Sequence, residues 1–329
     1  MHIKKCILFH FVTFSIYNNV NIWYITCALV IILHFSAIRI LFNPDIAICK
    51  DSDFYGDEKM KRAIIILCLI LCITAASFSI WKLYGYYRTY QGGKEEYDQL
   101  KDYVREDTPS EKEKKKKEDR DLCPISVDFH SLQKINPDLI GWIYIPGTGI
   151  DYPIVQAQDN SAYLHMTFRK KESYVGAIFL DAGCAPDFSD FNSIIYGHNL
   201  KNGEMFGHLK RLYDINYNKK ANYKKHPDIW ILTPDQSRLY RIFACREINA
   251  ERDREVYTIN LPAKEGSLPE SEERTAFLEK QISRSQIKTG IKLSGMESII
   301  TLSTCTSRSR EGRFVLQALC RTGSRQTSE

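Results

Sequence analysis

The stretch SIITLSTCTSRSREGRFVLQAL, residues 298–319, contains two apolar and β-branched runs separated by a polar turn. Both runs have the composition of buried strands, and Glu311-Gly312 marks the turn between them. The stretch therefore predicts two neighbouring strands that pair with each other. Such pairing would bring Cys305, at the end of the first strand, and Arg313, at the start of the second, to the same edge of a sheet.

Similar apolar runs recur from about Ser126 onward, and turn residues such as Pro146-Gly147 separate them. Many short strands within a domain of about 200 residues are typical of a β-barrel or a β-sandwich. Two helices are expected, over about 128–134 and about 269–285. We therefore predict a mainly β domain with added helices. The other expected strands are residues 141–145, 177–181, 192–197, 229–233 and 239–244.

The composition excludes some classes of function. The formal net charge is +5 over 329 residues, and the charge is spread along the chain. Nucleic-acid binding, which needs a broad basic stripe, is therefore not expected. None of the ten cysteines belongs to a CxxC pair, which argues against a zinc site. We expect no cofactor and no bound metal.

An uncharged stretch of 19 residues, Ala63–Trp81, is long enough to cross a membrane as a helix. Basic residues precede it, which favours a cytoplasmic N-terminal side. A cleaved signal peptide is the alternative, but bulky aromatic residues follow where cleavage requires small ones. We predict an uncleaved transmembrane anchor over residues 60–90.

A second apolar stretch, Ile22–Phe42, contains a histidine and an arginine. If both stretches crossed the membrane, the C-terminal domain would return to the cytoplasm. We therefore interpret residues 1–59 as an uncertain extension that is not translated, with Met60 as the first residue. N-terminal sequencing of the native protein tests this, because a product that keeps Met1 would contradict it.

Residues 91–126 are predicted to be a polar linker, and the run EKEKKKKEDRD (111–121) lies near its end. A polybasic contact with the membrane surface is one interpretation. Acidic residues alternate with the lysines, however, which favours a solvated spacer.

Three residue types that together support nucleophilic catalysis lie at predicted strand ends. His198 follows the run NSIIYG, Cys305 ends TLSTC, and Arg313 opens the next strand. A thiol needs a nearby base or cation to become a nucleophile, and imidazole also returns the proton to a leaving amine. Arginine stays protonated but stabilises an oxyanion. Arg308 and Arg310 lie close enough in sequence to compete for the role of Arg313.

Several longer motifs resemble the sortases, and in detail the class B sortases. The resemblance covers about residues 127–320, and the motifs occur in the same order. They are INPDLIGWIYIPGTGIDYPIVQ (135–156), DNSAYL (159–164), DFSDFNSIIYGHNLKNGEMFGHL (187–209) and TLSTC (301–305).

The resemblance implies an eight-stranded sortase β-barrel, over residues 127–321, with residues 322–329 as a tail. It implies a membrane-bound cysteine transpeptidase with an extracellular catalytic domain. Such an enzyme cleaves the C-terminal sorting signal of a surface protein after threonine. It then joins the product, through a thioacyl-enzyme, to a peptidoglycan amine. His198, Cys305 and Arg313 would be catalytic, and Asn160, Leu164, Tyr196, Ser303 and Thr304 would line the substrate groove.

Two departures from the class B pattern lie beside that groove. Thr306 follows the cysteine where many members carry an acidic residue, and Arg313 comes only eight positions after Cys305. The acidic residues Asp181, Asp187 and Asp190 resemble a calcium site of some class A relatives. They form no ordered ligand loop, so solvated loop charges are favoured.

Three rival readings remain open from the residues. A cysteine hydrolase of the papain or cell-wall endopeptidase kind places its cysteine before its histidine, the reverse of the order here. A non-catalytic surface-binding module on the same barrel is the alternative that keeps the fold. A haem-binding or metal-binding surface protein has no clustered His, Cys and Met pattern to support it.

Overall fold

The computed structural model describes residues 58–106, 123–214, 224–261, 270–295, 297–306 and 309–325. It divides into two compact units, Met1–Arg88 and Thr89–Glu329. The extension 1–57 with its apolar stretch, the charged run 111–121 and Arg308 lie outside the described residues.

The first described element is a long helix, α1, over Glu58–Leu100. Among the described residues it is the one helix whose length and composition suffice to cross a membrane. Apolar side chains in the first unit are exposed, among them Leu71, Phe78 and Trp81. These features agree with the predicted anchor at Ala63–Trp81.

The second unit contains a closed barrel of eight strands, some paired antiparallel and some parallel. The prediction of a mainly β domain with added helices is therefore confirmed, and the open choice between barrel and sandwich is decided. The barrel strands are β3 (Leu139–Tyr144), β4 (Asp151–Val155), β5 (Ile178–Leu180), β6 (Asn192–Tyr196), β7 (Asp228–Leu232), β8 (Gln236–Asn249), β9 (Ile299–Cys305) and β10 (Gly312–Arg325). They follow one another around the barrel in the order β10-β8-β7-β3-β4-β5-β6-β9.

Strand β4 was not predicted from the composition of single segments, and its proline explains why. Pro153 lacks an N–H and normally argues against a central strand. It pairs with Trp142 of the antiparallel neighbour β3, whereas the parallel pairing with β5 covers only Ile154 and Val155. Pro153 thus lies just outside the ladder to β5, so its missing donor leaves no gap there.

Among the described residues, three α-helices accompany the barrel: α2 (Phe129–Ile135), α3 (Leu209–Tyr213) and α4 (Glu270–Ser283). The Asp128 carboxylate accepts a hydrogen bond of 2.9 Å from the Ser131 N–H and caps α2. Leu278 and Ile282 of α4 pack in one cluster on the barrel, as their spacing predicts. The two predicted helices are confirmed within a few residues.

The two faces of β9 and β10 contribute to different hydrophobic clusters, because side chains alternate along a strand. Ile300 and Leu302 lie in the main cluster inside the barrel, and Phe314 and Leu316 of β10 lie with them. On the outer face, α4 covers Ile299 near one end. The site described below lies at the other end of that outer face, toward Cys305.

The predicted polar linker differs from the structure at both ends. Tyr97 and Leu100, near the end of α1, are buried in the main cluster. The segment β1 (Val104–Glu106) pairs with β2 (Ile125–Val127) in a small sheet. The polar composition of this segment did not predict the packing, because one of its charged residues, Glu96, is itself buried. Its carboxylate has a main-chain N–H and a lysine as partners. Likewise β10 runs to Arg325, four residues into the predicted tail.

Candidate active site

Cys305 and Arg313 are direct cross-strand partners. Cys305 is the last residue of β9, and Arg313 is the second residue of β10, opposite it in the antiparallel register. Six buried residues precede Cys305 in the strand, but Cys305 itself is exposed. The strand thus carries its thiol out of the core to the surface beside a guanidinium-bearing residue.

His198 reaches the same edge by a parallel pairing. Strand β6 runs parallel to β9 with Tyr196 opposite Ser303, and the Gly197 N–H donates to the Ser303 carbonyl over 3.2 Å. His198 and Cys305 each follow that pair by two residues. The Asn199 amide nitrogen then donates to the Cys305 carbonyl over 2.9 Å. The three elements that the sequence singled out therefore meet at one edge of the barrel.

The imidazole of His198 is held in place by neighbouring main chain. Its Nε2 lies 2.8 Å from the Leu164 carbonyl oxygen. A carbonyl only accepts, so this nitrogen carries the hydrogen and Nδ1 is the acceptor of the neutral ring. Gly176 packs so closely that a Cβ there would lie 2.8 Å from His198 Cδ2. The ring is thereby fixed in orientation, as a group that exchanges protons requires.

The Arg313 guanidinium is held by the turn before β10 and by the first residue of that strand. One nitrogen, Nη1, donates to the carbonyls of Arg310 and Gly312 at 2.8 and 3.0 Å. A guanidinium has five N–H donors in a planar fork, so further donors remain for a ligand oxygen. Arg310 is an exposed residue, and its main-chain carbonyl accepts the hydrogen bond from Arg313.

Tyr257 covers the outer face of β9 next to Cys305, although no sequence motif pointed to it. Its hydroxyl lies 2.9 Å from the Ser303 hydroxyl, and its ring centroid lies 6.2 Å from that of Tyr196. Burial raises the pKa of Tyr257, while the charge of nearby Arg313 opposes the rise. The tyrosine therefore remains a neutral hydrogen-bonding group beside the thiol.

Asn192 holds the segment that carries Tyr257 against the barrel. Its buried side-chain nitrogen donates to the carbonyls of Val256 and Thr258 at 3.0 and 2.9 Å. Its side-chain oxygen accepts from the Thr301 hydroxyl at 2.8 Å. Residues 254–259 therefore form a wall over β6 and β9, and we call this segment the wall.

Two of the predicted groove residues, Asn160 and Tyr196, share a carboxylate. Asp181 Oδ2 accepts from the Asn160 amide at 2.8 Å and from the Tyr196 hydroxyl at 2.9 Å. Its other oxygen accepts from the Gly183 N–H at 2.9 Å. Asp181, interpreted from sequence as a solvated loop charge, instead joins two predicted groove residues.

The remaining predicted groove residues lie in unlike environments. Ser303 is on the same face of β9 as Cys305, toward Tyr257. Thr304 points to the opposite face, opposite the buried Phe314, and is itself buried. Leu164 is partly buried against the main cluster and reaches His198 with its carbonyl.

Within the described residues, no group of three or more His, Cys, Asp or Glu side chains is arranged to hold a metal ion. The three loop carboxylates make separate hydrogen bonds: Asp187 accepts from the Ser189 N–H, and Asp190 from the Asn260 amide. A thiol, an imidazole and a guanidinium at one exposed edge are the groups of acyl-transfer chemistry.

Comparisons with known proteins point to one family. The model of the Sortase domain matches residues 143–320. Sortase B of Listeria monocytogenes is 35% identical over 192 residues, which are 58% of this chain and 72% of the relative. The structure of Clostridium perfringens sortase B has a TM-score of 0.50 and 31% identity, and covers 59% of this chain and 99% of its own. A Staphylococcus aureus sortase B–substrate complex has a TM-score of 0.51 and 26% identity over 59% and 84%.

Proposed function

Because the chain belongs to the sortase family, as a class B member and hence a cysteine transpeptidase, we propose that it cleaves a C-terminal sorting signal after threonine. The released surface protein would be joined to a peptidoglycan amine. The observation that carries the proposal is the register of Cys305 with Arg313, together with the placement of His198 on the parallel neighbour of that strand.

In the first half-reaction, the Cys305 sulfur attacks the carbonyl carbon of the Thr–Gly or Thr–Asn bond. His198 takes the thiol proton, and the guanidinium of Arg313 stabilises the negative oxygen of the tetrahedral intermediate. When this intermediate collapses, the C–N bond breaks and His198 returns the proton to the leaving amine. The product is a thioester between threonine and Cys305.

In the second half-reaction, a peptidoglycan amine attacks the thioester carbonyl. The amine loses a proton to the imidazole, the C–S bond breaks, and the departing sulfur recovers a proton. The new amide joins the surface protein to the cell wall. Both halves use side chains of this chain alone, so the proposed chemistry needs no cofactor.

We propose that the outer face of β9 and the wall form the groove for the sorting signal. Ser303, Tyr196 and Asn160 support this because they are linked around Cys305 through Tyr257 and Asp181. Leu164 would contact the signal beside His198. The side chain of Thr304 is turned into the barrel, so we assign it a main-chain contact only.

Sortases are associated with the cell surface. The apolar helix of this chain supports the same location for this protein. We propose a single-pass protein in which α1 anchors the chain and the catalytic domain is extracellular. This places the thiol on the side where sorting signals and peptidoglycan amines are found. The Staphylococcus aureus relative has been solved as a complex with a substrate.

The direct test uses the full chain in detergent with quenched peptides bearing NPxTx, SPxTx and LPxTx cores. We expect cleavage after threonine, and intact mass spectrometry should detect an acyl adduct on Cys305. Cys305→Ala should abolish both, while the matched control Cys320→Ala on β10 should keep both. Turnover in Cys305→Ala would overturn the assignment. Silence across the panel, with Cys305 inert to alkylation, would favour a non-catalytic binding module.

The same peptides test the arginine assignment. Arg313→Ala should lower the acylation rate by about 100-fold or more, as expected for an oxyanion donor. Arg310→Ala, which keeps the carbonyl that Arg313 binds, should change the rate little. A larger loss in Arg310→Ala than in Arg313→Ala would show that the assignment is wrong.

A further inference from the structure

We propose that Tyr97, near the end of α1, is a positioning residue for His198, acting through the segment 166–176. This inference rests on the proposed role of His198 as the catalytic acid and base. Tyr97 does not belong to any of the motifs that resemble sortases, and the linker prediction placed it in a solvated spacer.

The Tyr97 hydroxyl ties together two main-chain groups of one segment. It donates to the Gly176 carbonyl over 2.7 Å and accepts from the Phe168 N–H over 3.2 Å. The residue is 4% exposed, so neither group has easy access to water if the hydroxyl is removed. Burial raises the pKa of Tyr97 well above its ordinary value, and the hydroxyl therefore keeps its proton to donate.

Gly176, whose carbonyl binds the Tyr97 hydroxyl, packs directly against the His198 imidazole. It adopts a φ of +64°, and the site of its missing Cβ lies 2.8 Å from His198 Cδ2 and 3.1 Å from Nε2. The Gly176 carbonyl held by Tyr97 therefore belongs to the residue packed against the ring. The next residue, Ala177, donates its N–H to the Tyr163 carbonyl at 3.0 Å, one residue before the Leu164 carbonyl that binds Nε2.

A second route runs from the Tyr97 ring to the loop after His198. The ring packs edge-on against Tyr152 with centroids 5.5 Å apart. The Tyr152 hydroxyl accepts from the Met205 N–H at 3.3 Å, and Met205 pairs with Asn199. The Asn199 amide in turn binds the Cys305 carbonyl. The second route therefore supports Asn199, the residue that directly follows His198.

Neighbouring residues of α1 hold the helix on the same segment. The buried Glu96 carboxylate accepts from the Arg169 N–H at 2.8 Å. Gly93 lets the helix approach Val175 so closely that a Cβ would lie 2.7 Å from its Cγ2. These contacts hold the helix in place, and the Tyr97 hydroxyl binds Gly176, which packs against the His198 ring.

The test compares Tyr97→Phe with Tyr213→Phe in the full chain in detergent. Tyr213 is also buried, and its hydroxyl donates to the His226 carbonyl at 2.8 Å, so the control loses a similar hydrogen bond. The acylation rate is measured as a function of pH with the peptide that the wild type cleaves. The temperature is kept below the melting temperature of both variants. We expect Tyr97→Phe to lower kcat about tenfold with an unchanged KM and a displaced pH profile. Tyr213→Phe should stay within about twofold.

A readout without substrate separates this inference from the proposed function. The rate of Cys305 alkylation by iodoacetamide is followed against pH by peptide mapping. A profile displaced in Tyr97→Phe but not in Tyr213→Phe supports the positioning role, even if no peptide is cleaved and the proposed function fails. Wild-type kcat and an unchanged alkylation profile in Tyr97→Phe would overturn it.

Discussion

At the scale of single residues, Gly176 shows how tightly the main chain surrounds the proposed general base. The space that a Cβ would fill is taken by the His198 ring and by the Tyr163 carbonyl, each 2.8 Å away. Its φ of +64° lies in the left-handed region that side chains disfavour. Only glycine allows the main chain and the imidazole to approach in this way.

Gly176→Ala should therefore affect both stability and catalysis. We expect a loss of about 1–2 kcal/mol in the free energy of unfolding from the left-handed backbone. The acylation rate should fall about tenfold or more because the ring is displaced. The matched control is Gly290→Ala, since Gly290 has a φ of +67° with nothing within 4 Å of its missing Cβ. An equal loss of rate in both variants would contradict this account.

At the scale of elements, the wall depends on one buried side chain of the strand beneath it. Asn192 is fully buried at the start of β6, and it binds two wall carbonyls as well as the Thr301 hydroxyl. Its own N–H donates to the Ile259 carbonyl. The wall, which contains the short 3-10 helix Arg254–Tyr257, is thereby fixed over β9, with Tyr257 facing Ser303.

Asn192→Ala should release the wall. We expect the free energy of unfolding to fall by about 2–4 kcal/mol, because buried carbonyls lose their donors. Turnover should fall further than this loss explains, since Tyr257 would leave the Cys305 edge. Thr301→Val removes a hydroxyl from the same network but keeps both donors to the wall. Urea unfolding and peptide cleavage compare the two, and equal turnover in both variants would count against the wall's role.

At the scale of the whole molecule, buried thiols and phenols make the fold sensitive to alkaline pH. Burial raises the pKa of Cys184 and of Cys245 to about 12, and that of Tyr152 to about 12. The ordinary value for a cysteine thiol in an unfolded chain is about 8.5. The folded state thus keeps protons that the unfolded state loses between these values.

The sign of the effect follows from this difference in bound protons. Stability is fully present below about pH 8.5 and falls as the pH rises toward 12, by about 1.4 kcal/mol per pH unit for each thiol. Urea unfolding under reducing conditions at pH 8 and pH 10.5 measures the fall. The double variant Cys184→Ala, Cys245→Ala should be less stable at pH 8 but lose less on going to pH 10.5. An unchanged pH slope would contradict burial of these thiols.

The sequence by itself determined most strand positions and the pairing of Cys305 with Arg313. Buried strands appear as apolar β-branched runs because their side chains face a core, and Cys305, His198 and Arg313 each lie at the end of such a run. Pairing of the neighbouring strands β9 and β10 then leaves little freedom in where Cys305 and Arg313 meet, whereas the tertiary structure supplied the parallel pairing that brings His198 to the same edge. β4 was not predicted because Pro153 interrupts its apolar run. In the structure, Pro153 lies in the strand because its position is outside the pairing with β5.

Only the tertiary structure decided the roles of Tyr257, Asp181 and Tyr97. Each is defined by a hydrogen bond to a residue distant in sequence, and the bond from Tyr97 to Gly176 spans 79 positions. The sequence shows the same polar residue whether its partner in the folded protein is water or a buried carbonyl. The spacing of residues along the chain records which face a side chain occupies within its own element. It does not record which other element closes over that face, because packing of the whole chain makes that choice.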